Sequence, residues 1–376
     1  MKRILFFIES LSVGGAEKVL VTLLKHLDYS QYDVTLKPLV DTGILREDID
    51  MSKLNYAPVI RETKSIWQRV YNKIKYKLIY HCLPCCLVNK MFIPQIGMDA
   101  YIAFTEGFST KLLSYAPGKK VAWVHADLKT DPWTQVSHIY DSLEEEKKVY
   151  QKYSIVACVS NAVEHVMRDL YHLHQTKTIY NPIDTEEIIQ ESKIPSNVEI
   201  SSAFNIVSVG RLVPQKGFDL LIAVIGKLKH EGKDIHLYII GEGYERQTLE
   251  NIIQNEGLQD VVHLMGYMRN PFALMAKMDL YVCSSTSEGY SLVIAEAMTL
   301  GLPVLSTLCA GPREILEDGK YGMLVENNVD AIYKGVCRIV DSPELLEELK
   351  IKSIEKGKNL GVDKTMKQIV NLFDNI

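Results

Sequence analysis

The stretch LYVCSSTSEGYSLVIAEAMTLGLPVLS, residues 280–306, decides the fold class of this chain. It opens with a short apolar run at 280–283, passes through a polar loop, and enters a helical pattern that ends at Gly301 and Pro303. A second apolar run follows at 304–306. Two apolar runs separated by a helix predict two parallel strands joined by a crossover helix.

The same alternation continues along nearly the whole chain. Short Val/Ile/Leu runs without alternating polar residues are typical of parallel strands that are buried on both faces. Such runs, separated by helical patterns, predict a doubly wound α/β fold. The candidate strands lie at residues 4–8, 34–40, 100–104, 120–124, 155–159, 206–209, 236–240, 280–283 and 304–306.

The domain organisation follows from length and from one interruption of this pattern. A chain of 376 residues is long for a single hydrophobic core and indicates two domains. The strand pattern pauses between 182 and 203, where a polar stretch at 193–197 is typical of a linker. We therefore predict domains over 1–195 and 196–360 and a terminal helix within 361–376.

Composition excludes some classes of function. The formal net charge of −5 argues against broad nucleic-acid binding, which needs a basic surface. No apolar stretch approaches the roughly 20 residues needed to span a bilayer. The first apolar run is cut short by Glu9 and predicts a buried strand, not a signal peptide. We expect a cytoplasmic protein.

Metal-binding patterns are weak. The seven cysteines are odd in number and irregularly spaced, which favours free thiols in a reducing compartment. The run at 81–86 holds one histidine and three cysteines but has no second ligand pair at zinc-site spacing. The D-x-D match at Asp48 and Asp50 lies in an early polar region. We predict no metal and no other cofactor.

A basic turn follows the candidate strand at 206–209. Arg211 offers a planar fork of donors, and Lys216 offers a mobile point charge. At the carboxyl edge of a parallel sheet these two cations can neutralise a nucleotide diphosphate. The alternative is a plain turn with solvated basic residues.

A polar loop and a helix start complete this edge. The backbone N–H groups of Tyr290, Ser291 and Leu292 form a helix amino-terminus that suits phosphate oxygens. Glu296 lies one turn into the helix, within reach of a ribose attached to that phosphate. Glu288, in the loop, is better placed for the sugar of the ligand. The alternative is two acids that simply favour a helix start.

Four segments, taken in order, resemble the retaining nucleotide-sugar glycosyltransferases of family 4. That family has two Rossmann-like domains facing across a cleft, the arrangement called GT-B. Its last helix crosses back to the first domain, and the resemblance implies the same for the terminal helix within 361–376. The segments lie at residues 14–17, 209–217, 240–243 and 288–304.

The resemblance implies roles for individual residues. Arg211 and Lys216 would hold the donor diphosphate, Glu296 would bind the ribose, and Glu288 would bind the donor sugar. The predicted catalytic residues are His125, Arg211, Lys216 and Glu288. The predicted donor-binding residues are Gly15, Arg211, Lys216, Glu288, Gly289, Tyr290, Ser291, Leu292 and Glu296.

The first half of the chain supplies the acceptor side of this prediction. Gly14 and Gly15 allow close backbone approach to a ligand, although a plain strand-to-helix turn is the alternative. His125 ends a candidate strand and is either a site residue or part of the scaffold. Glu106 ends the preceding strand. Gly14, Glu106 and His125 are the predicted acceptor-side residues.

The predicted reaction is transfer of a hexose or hexosamine from a nucleoside diphosphate to a sugar hydroxyl. Retention of configuration follows from the resemblance alone. A nucleotide-sugar epimerase would need an acid and a base near the sugar, and only His125 and Glu106 are evident. A catalytically inactive scaffold of a polysaccharide-assembly complex would not need Arg211, Lys216, Glu288 and Glu296.

Residues 61–90 depart from the acidic average of the chain. Trp67, Tyr71, Ile74 and Leu78 recur at helical spacing beside the cations. Such a helix can lie in an anionic membrane interface, and the alternative is a helix packed on its own domain. Membrane contact would suit a lipid-linked or oligosaccharide acceptor. The segment has one acid, Glu62, against Arg61, Lys64, Arg69, Lys73, Lys75, Lys77 and Lys90.

Overall fold

The computed structural model describes residues 1–376 and divides the chain into two units, each built on one parallel sheet. Unit 1 comprises Met1–Pro182 together with Asp363–Ile376, and unit 2 comprises Ile183–Val362. All strand pairs are parallel, and helices or helical turns separate successive strands. The predicted doubly wound α/β class is therefore confirmed for both units.

The sheet of unit 1 has seven strands. They are β1 (Lys2–Ile8), β2 (Tyr32–Pro38), β3 (Asn55–Tyr56), β4 (Ala100–Ala103), β5 (Lys119–Val124), β6 (Ile155–Cys158) and β7 (Thr176–Thr178). Their spatial order is β3-β2-β1-β4-β5-β6-β7, so the order reverses at β1, between β2 and β4. Residues Ile4 to Phe7 of β1 are fully buried, as expected for a strand covered on both faces.

The sheet of unit 2 has six strands. They are β8 (Phe204–Val209), β9 (Ile235–Ile240), β10 (Val262–Gly266), β11 (Leu280–Cys283), β12 (Val304–Thr307) and β13 (Met323–Val325). Their spatial order is β10-β9-β8-β11-β12-β13, so the order reverses at β8, between β9 and β11. The core here is aliphatic, with Ile206, Leu237 and Val282 fully buried.

Sixteen helices accompany the two sheets. They are α1 (Gly15–His26), α2 (Ile66–Lys77), α3 (Cys85–Phe92), α4 (Phe108–Leu113), α5 (Trp133–Val136), α6 (Leu143–Tyr150), α7 (Asn161–Asp169), α8 (Thr185–Ser192), α9 (Phe218–His230), α10 (Arg246–Asn255), α11 (Phe272–Met275), α12 (Leu292–Thr299), α13 (Ala310–Ile315), α14 (Val329–Val340), α15 (Pro343–Asn359) and α16 (Val362–Asp374). Short 3-10 turns lie at Ile44–Asp48 and Pro214–Lys216, and a π-helical turn lies at Leu78–Cys82. None of the helices combines the length and the apolarity needed to cross a bilayer.

The units divide at Pro182 and Ile183, earlier than the boundary predicted at residue 195. Helix α8 accounts for the difference, because it packs against α11 and α12 of unit 2. The Asn270 side chain also donates a hydrogen bond to the Glu191 carbonyl (2.8 Å) near the end of α8. The polar stretch predicted as a linker therefore lies within unit 2.

The terminal helix α16 belongs to unit 1, although it follows the whole of unit 2 in sequence. The buried Phe373 ring packs edge-on against the rings of Phe6 and Tyr32, with centroids 5.8 and 5.9 Å apart. The Tyr32 hydroxyl also donates to the Asp374 carboxylate (2.6 Å). The end of the chain thus completes the core beside β1 and β2.

Candidate active site

The strand reversal at β8 places two predicted motifs beside each other in unit 2. Ligands of open parallel sheets bind outside the carboxyl ends of the strands, at the point where strand order reverses. The basic turn at 210–217 follows β8, and the polar loop at 284–291 follows the neighbouring β11. Sheet topology therefore joins motifs that are far apart in sequence.

Hydrogen bonds tie this turn to this loop. Ser284 Oγ donates to the Lys216 carbonyl (2.8 Å), and the Thr286 N–H donates to the Gln215 carbonyl (2.8 Å). The Gln215 side-chain amide in turn donates to the Ser287 carbonyl (2.9 Å). These hydrogen bonds hold the turn and the loop at a fixed separation.

The close approach depends on glycine at position 217. Gly217 has φ of +60°, a left-handed conformation that side chains disfavour. A Cβ atom there would also lie 2.3 Å from the Ser284 carbonyl oxygen. The glycine in the predicted basic motif is thus required by backbone packing.

Lys216 and Glu288 form an ion pair across these two segments, with 2.6 Å between Nζ and Oε1. Their side chains are only 20% and 13% exposed. Burial alone lowers the pKa of Lys216, but the Glu288 carboxylate outweighs it, and the net pKa lies above its ordinary value. The Ser285 hydroxyl donates to the same Oε1 (2.7 Å). Two predicted site residues therefore form one charged unit.

The other predicted donor-side residues lie in the same turn, in the same loop and in α12. Arg211 is exposed and has no side-chain ion pair, so its guanidinium is available to a ligand. Ser291 directly precedes α12 and has φ of +69°, a strained conformation for a non-glycine residue that is common at functional sites. Leu292 is the first residue of α12, and Glu296 is buried one turn into it.

The loop after β11 is held by hydrogen bonds that could not be predicted from the sequence. The Ser285 carbonyl oxygen accepts hydrogen bonds from Cys309 Sγ (2.9 Å), Asn327 Nδ2 (3.1 Å) and Thr307 Oγ1. These donors lie at or after the ends of β12 and β13. No motif spacing links them to residue 285. Gly289 and Tyr290 continue the same loop, with Tyr290 buried.

Unit 1 places Glu106 and His125 together, at the carboxyl ends of β4 and β5. Buried Glu106 accepts hydrogen bonds from the backbone N–H groups of His125 (2.5 Å) and Ala126. His125 Nε2 donates to the Phe104 carbonyl (2.9 Å), which leaves Nδ1 as an acceptor. Burial lowers the pKa of His125 to about 4 and raises that of Glu106 to about 7. His125 is therefore neutral at physiological pH.

The predicted glycine turn lies at the carboxyl end of β1. Helix α1 begins at Gly15, and Gly14 is its N-cap residue. Gly14 has φ of −155°, an extended conformation open to any residue, so backbone geometry does not require glycine there. Close approach of a ligand to Gly14 and Gly15 stays a prediction.

The candidate metal ligands are dispersed or hydrogen-bonded to other protein groups. No group of three or more His, Cys, Asp or Glu side chains is placed to hold a metal ion. Asp50, from the D-x-D match, accepts hydrogen bonds from the Ser52 hydroxyl (2.6 Å) and backbone N–H (3.1 Å). All seven cysteines are free thiols.

Comparison with known proteins identifies the family. Residues 186–356 match the family model described as "Glycosyl transferases group 1". An uncharacterized glycosyltransferase of Methanocaldococcus jannaschii is 30% identical over 302 residues, which cover 73% of this chain and 68% of that protein. The chain belongs to the group 1 glycosyltransferases.

Two further proteins match this group 1 glycosyltransferase over nearly its whole length. The N-acetylgalactosamine-N,N'-diacetylbacillosaminyl-diphospho-undecaprenol 4-alpha-N-acetylgalactosaminyltransferase of Campylobacter jejuni is 26% identical over 371 residues, 95% of each chain. The crystal structure of Anabaena HepE in complex with UDP-glucose superposes with a TM-score of 0.77, 20% identity and complete coverage of both chains. This likeness confirms the predicted GT-B fold class of two Rossmann-like domains.

Proposed function

We propose that this group 1 glycosyltransferase moves a hexose or hexosamine from a nucleoside diphosphate to a sugar hydroxyl, with retention of configuration. The observation that carries the proposal is the Lys216–Glu288 pair at the strand reversal of unit 2. A cation and a carboxylate held 2.6 Å apart can bind both parts of a nucleotide-sugar, the diphosphate and the sugar hydroxyls.

The donor would occupy the carboxyl edge of β8 and β11. Arg211, Lys216 and the first N–H groups of α12 supply positive charge and donors for the diphosphate. Glu288 would accept hydrogen bonds from the donor sugar, and Glu296 from the ribose. The hydrogen bond from the Ser285 hydroxyl limits the orientations open to the Glu288 carboxylate.

The reaction would proceed by substitution on one face of the donor sugar. The bond between the anomeric carbon and the diphosphate oxygen breaks, and its electron pair leaves with the diphosphate. The acceptor hydroxyl oxygen forms the new bond to the anomeric carbon, and its proton passes to an oxygen of the departing diphosphate. Arg211 and Lys216 stabilise the charge that develops on that group, a role for which the reaction then needs no metal.

We further propose a lipid-linked glycan as the acceptor. The Campylobacter relative acts, as its name states, on a sugar carried by diphospho-undecaprenol. A lipid carrier keeps its sugars close to a membrane surface, so an enzyme using one benefits from a surface that contacts the bilayer. Helix α2 offers such a surface.

Helix α2 turns its apolar side away from the protein. Ile66, Trp67 and Ile74 are 75%, 85% and 55% exposed, and no residue of the helix is buried. Its polar side faces unit 1, where Asn72 donates to the Arg61 carbonyl (2.8 Å) and Lys75 donates to a neighbouring carbonyl (2.8 Å). The alternative of an amphipathic helix packed apolar-side inward is therefore wrong.

The charges beside this apolar face favour an anionic bilayer as its partner. Interfacial helices combine exposed aromatic and aliphatic residues with lysine and arginine, and each cation near an anionic surface contributes about 1 kcal/mol. Peripheral contact with the inner face of a cytoplasmic membrane accounts for both features. None of the seven cations of the segment has a carboxylate partner; they are Arg61, Lys64, Arg69, Lys73, Lys75, Lys77 and Lys90.

The transferase proposal is tested with a panel of radiolabelled nucleotide-sugars and a membrane extract. We expect label from one donor to enter the lipid fraction with the wild type but not with Lys216→Ala or Glu288→Ala. Lys229→Ala is the matched control, because Lys229 forms an exposed ion pair with Asp260 in the same unit. Equal transfer by the wild type and both site variants would contradict the donor assignment.

The membrane proposal is tested by sedimentation with phospholipid vesicles. Replacing Lys73 and Lys77 together by alanine removes about 2 kcal/mol of attraction, which predicts about thirtyfold weaker binding to vesicles containing phosphatidylglycerol. Trp67→Ala should also weaken binding, whereas Tyr244→Ala, an exposed aromatic of unit 2, should not. Binding that does not change in the first two variants would exclude α2 as the contact.

A further inference from the structure

Glu9 lies at the strand reversal of unit 1 and has no role in the proposed reaction. It directly follows β1, at the edge where parallel sheets bind ligands. Its carboxylate accepts a hydrogen bond from the Tyr80 hydroxyl (3.3 Å). Glu9 forms no ion pair with a cation, and the Glu17 carboxylate acts on it as a second negative charge. A group of this kind suits an uncharged ligand better than an anion.

Three aromatic rings form a column beside Glu9. The Tyr80 ring stacks on Phe108 at 4.5 Å between centroids and on Tyr76 at 5.2 Å, with interplanar angles of 20° and 18°. Phe108 is buried, Tyr80 is half-buried and Tyr76 is exposed. The column therefore leads from the core of unit 1 to a tyrosine ring that faces solvent.

Two rings of the column come from one helical segment. Tyr76 lies in the last turn of α2, and Tyr80 lies in the π-helical turn at Leu78–Cys82 that continues it. Residues four apart share one helix face, and π-helical turns are rare and frequent at functional sites. Buried Ile79 anchors this turn in unit 1. The same helical segment thus carries the exposed Trp67 at one end and the tyrosines at the other.

The protonation of Glu9 supports an uncharged ligand. Burial raises the pKa of Glu9 to about 7, although the Tyr80 hydroxyl and the Phe108 N–H act to lower it. At neutral pH the carboxyl group can therefore either accept or donate a hydrogen bond. A sugar hydroxyl also does both, so the two groups match.

We infer that Glu9, Tyr76 and Tyr80 form a subsite for the pyranose ring of the acceptor. The C–H face of the sugar packs on the exposed Tyr76 ring, whose face carries partial negative charge, and its hydroxyls hydrogen-bond to Glu9. That this sugar is the acceptor rests on the proposed transferase function. A helix of the length of α2 spans about 18 Å, so the subsite lies within reach of a bilayer that contacts Trp67.

Direct binding of a sugar tests the subsite without any catalysis. Saturation-transfer NMR on the full chain, with a panel of methyl pyranosides as probes, should show contact between aromatic protons and at least one sugar. The signal should disappear in Tyr76→Ala and fall in Glu9→Gln, which keeps the size of the side chain. It should persist in Glu144→Gln, the same change at an exposed acid of unit 1, and in Lys216→Ala, which alters the donor side.

Kinetics then distinguish the subsite from the proposed function. With the acceptor found in the transfer assay, Glu9→Gln and Tyr76→Ala should each raise the acceptor KM about tenfold or more, while the donor KM and the hydrolysis of the donor without acceptor stay unchanged. Sugar binding by the wild type that both variants retain, or the absence of binding to every pyranoside, overturns the subsite. Sugar binding lost in both variants, in a protein that transfers from no donor, overturns the proposed function but not the subsite.

Discussion

The carboxyl edges of the two sheets hold acidic side chains in opposite electrostatic settings. In unit 2, Glu288 lies 2.6 Å from the Lys216 ammonium group. In unit 1, half-buried Glu9 and buried Glu106 have no cation partner, and burial raises the pKa of each to about 7. Both sheets reverse their strand order next to these residues, so topology does not explain the difference.

The difference lies in what the neighbouring strand contributes. The turn after β8 brings Lys216 to Glu288, whereas the strand beside Glu106 brings only the neutral His125 and backbone N–H groups. A fixed ion pair suits a charged ligand such as a nucleoside diphosphate. Carboxyl groups that are partly protonated at neutral pH and a neutral imidazole suit sugar hydroxyls. One scaffold thus offers a charged edge in unit 2 and a neutral edge in unit 1.

Removing the cation of unit 2 should have the largest effect. Lys216→Ala leaves the Glu288 carboxylate without its partner and the leaving diphosphate without a donor, so we expect transfer to slow about 100-fold or more. Steady-state kinetics with the donor found in the panel would measure this. A loss below about threefold, similar to the loss in Lys229→Ala, would mean that the charged edge does not serve the reaction.

The raised pKa of Glu106, at the neutral edge of unit 1, should affect how the free energy of unfolding depends on pH. The pKa of Glu106 is about 7 in the folded state against an ordinary value of 4.5, so the folded state binds more protons between these values. The contribution of Glu106 to the free energy of unfolding should therefore fall as pH rises from about 5 to 8, by at most on the order of 3 kcal/mol. Glu106→Gln should remove this contribution, whereas Glu9, with a pKa of about 7, and His125, with a pKa of about 4, keep theirs.

Urea unfolding followed by tryptophan fluorescence checks this prediction. Trp67, Trp123 and Trp133 all lie in unit 1, so the signal reports on that unit alone. The Glu144→Gln variant is the control and should keep the pH dependence of the wild type. An unchanged dependence in Glu106→Gln would show that this carboxyl is ionised in the folded protein.

The charged edge also depends on backbone packing that a glycine exchange should disturb. Gly217→Ala forces a side chain into a left-handed conformation and against the Ser284 carbonyl, which should cost on the order of 3 kcal/mol. Gly232→Ala has a similar φ of +73° but open space around it, and should cost about 1 kcal/mol. Thermal unfolding by circular dichroism compares the two. Equal losses would mean that the turn and the loop can separate freely.

The smallest effect should come from the hydroxyl that orients Glu288. Ser285→Ala removes one hydrogen bond to the carboxylate while the Lys216 contact stays, so a loss of about 1 kcal/mol, or about fivefold in transfer rate, is expected. Ser192→Ala, which removes a hydroxyl bonded only within α8, should leave the rate unchanged. A loss as large as that of Lys216→Ala would show that Ser285 has a further role.

Local patterns were sufficient to predict the nine inner strands and the start of the key helix, but not the edge strands β3, β7, β10 and β13. The run predicted at 280–283 is β11, and α12 begins at Leu292 as the pattern indicated. The domain boundary was harder to place. Helix α8 belongs to unit 2 because it contacts α11 and α12, and these contacts cannot be predicted from the polar stretch that follows α8. The sequence also did not decide which side of α2 faces solvent, since an amphipathic pattern is the same whichever side packs inward.

The sequence by itself determined the doubly wound class and the positions of the motifs at strand ends. Side-chain direction repeats with a fixed period along strands and helices, so burial can be recognised from the spacing of apolar residues in the sequence. Only the tertiary structure decided that Lys216 pairs with Glu288, that His125 is neutral, and that Tyr76 and Tyr80 stack beside Glu9. Charge and stacking depend on distances between residues far apart in the chain, and those distances are set only when the strands assemble into sheets.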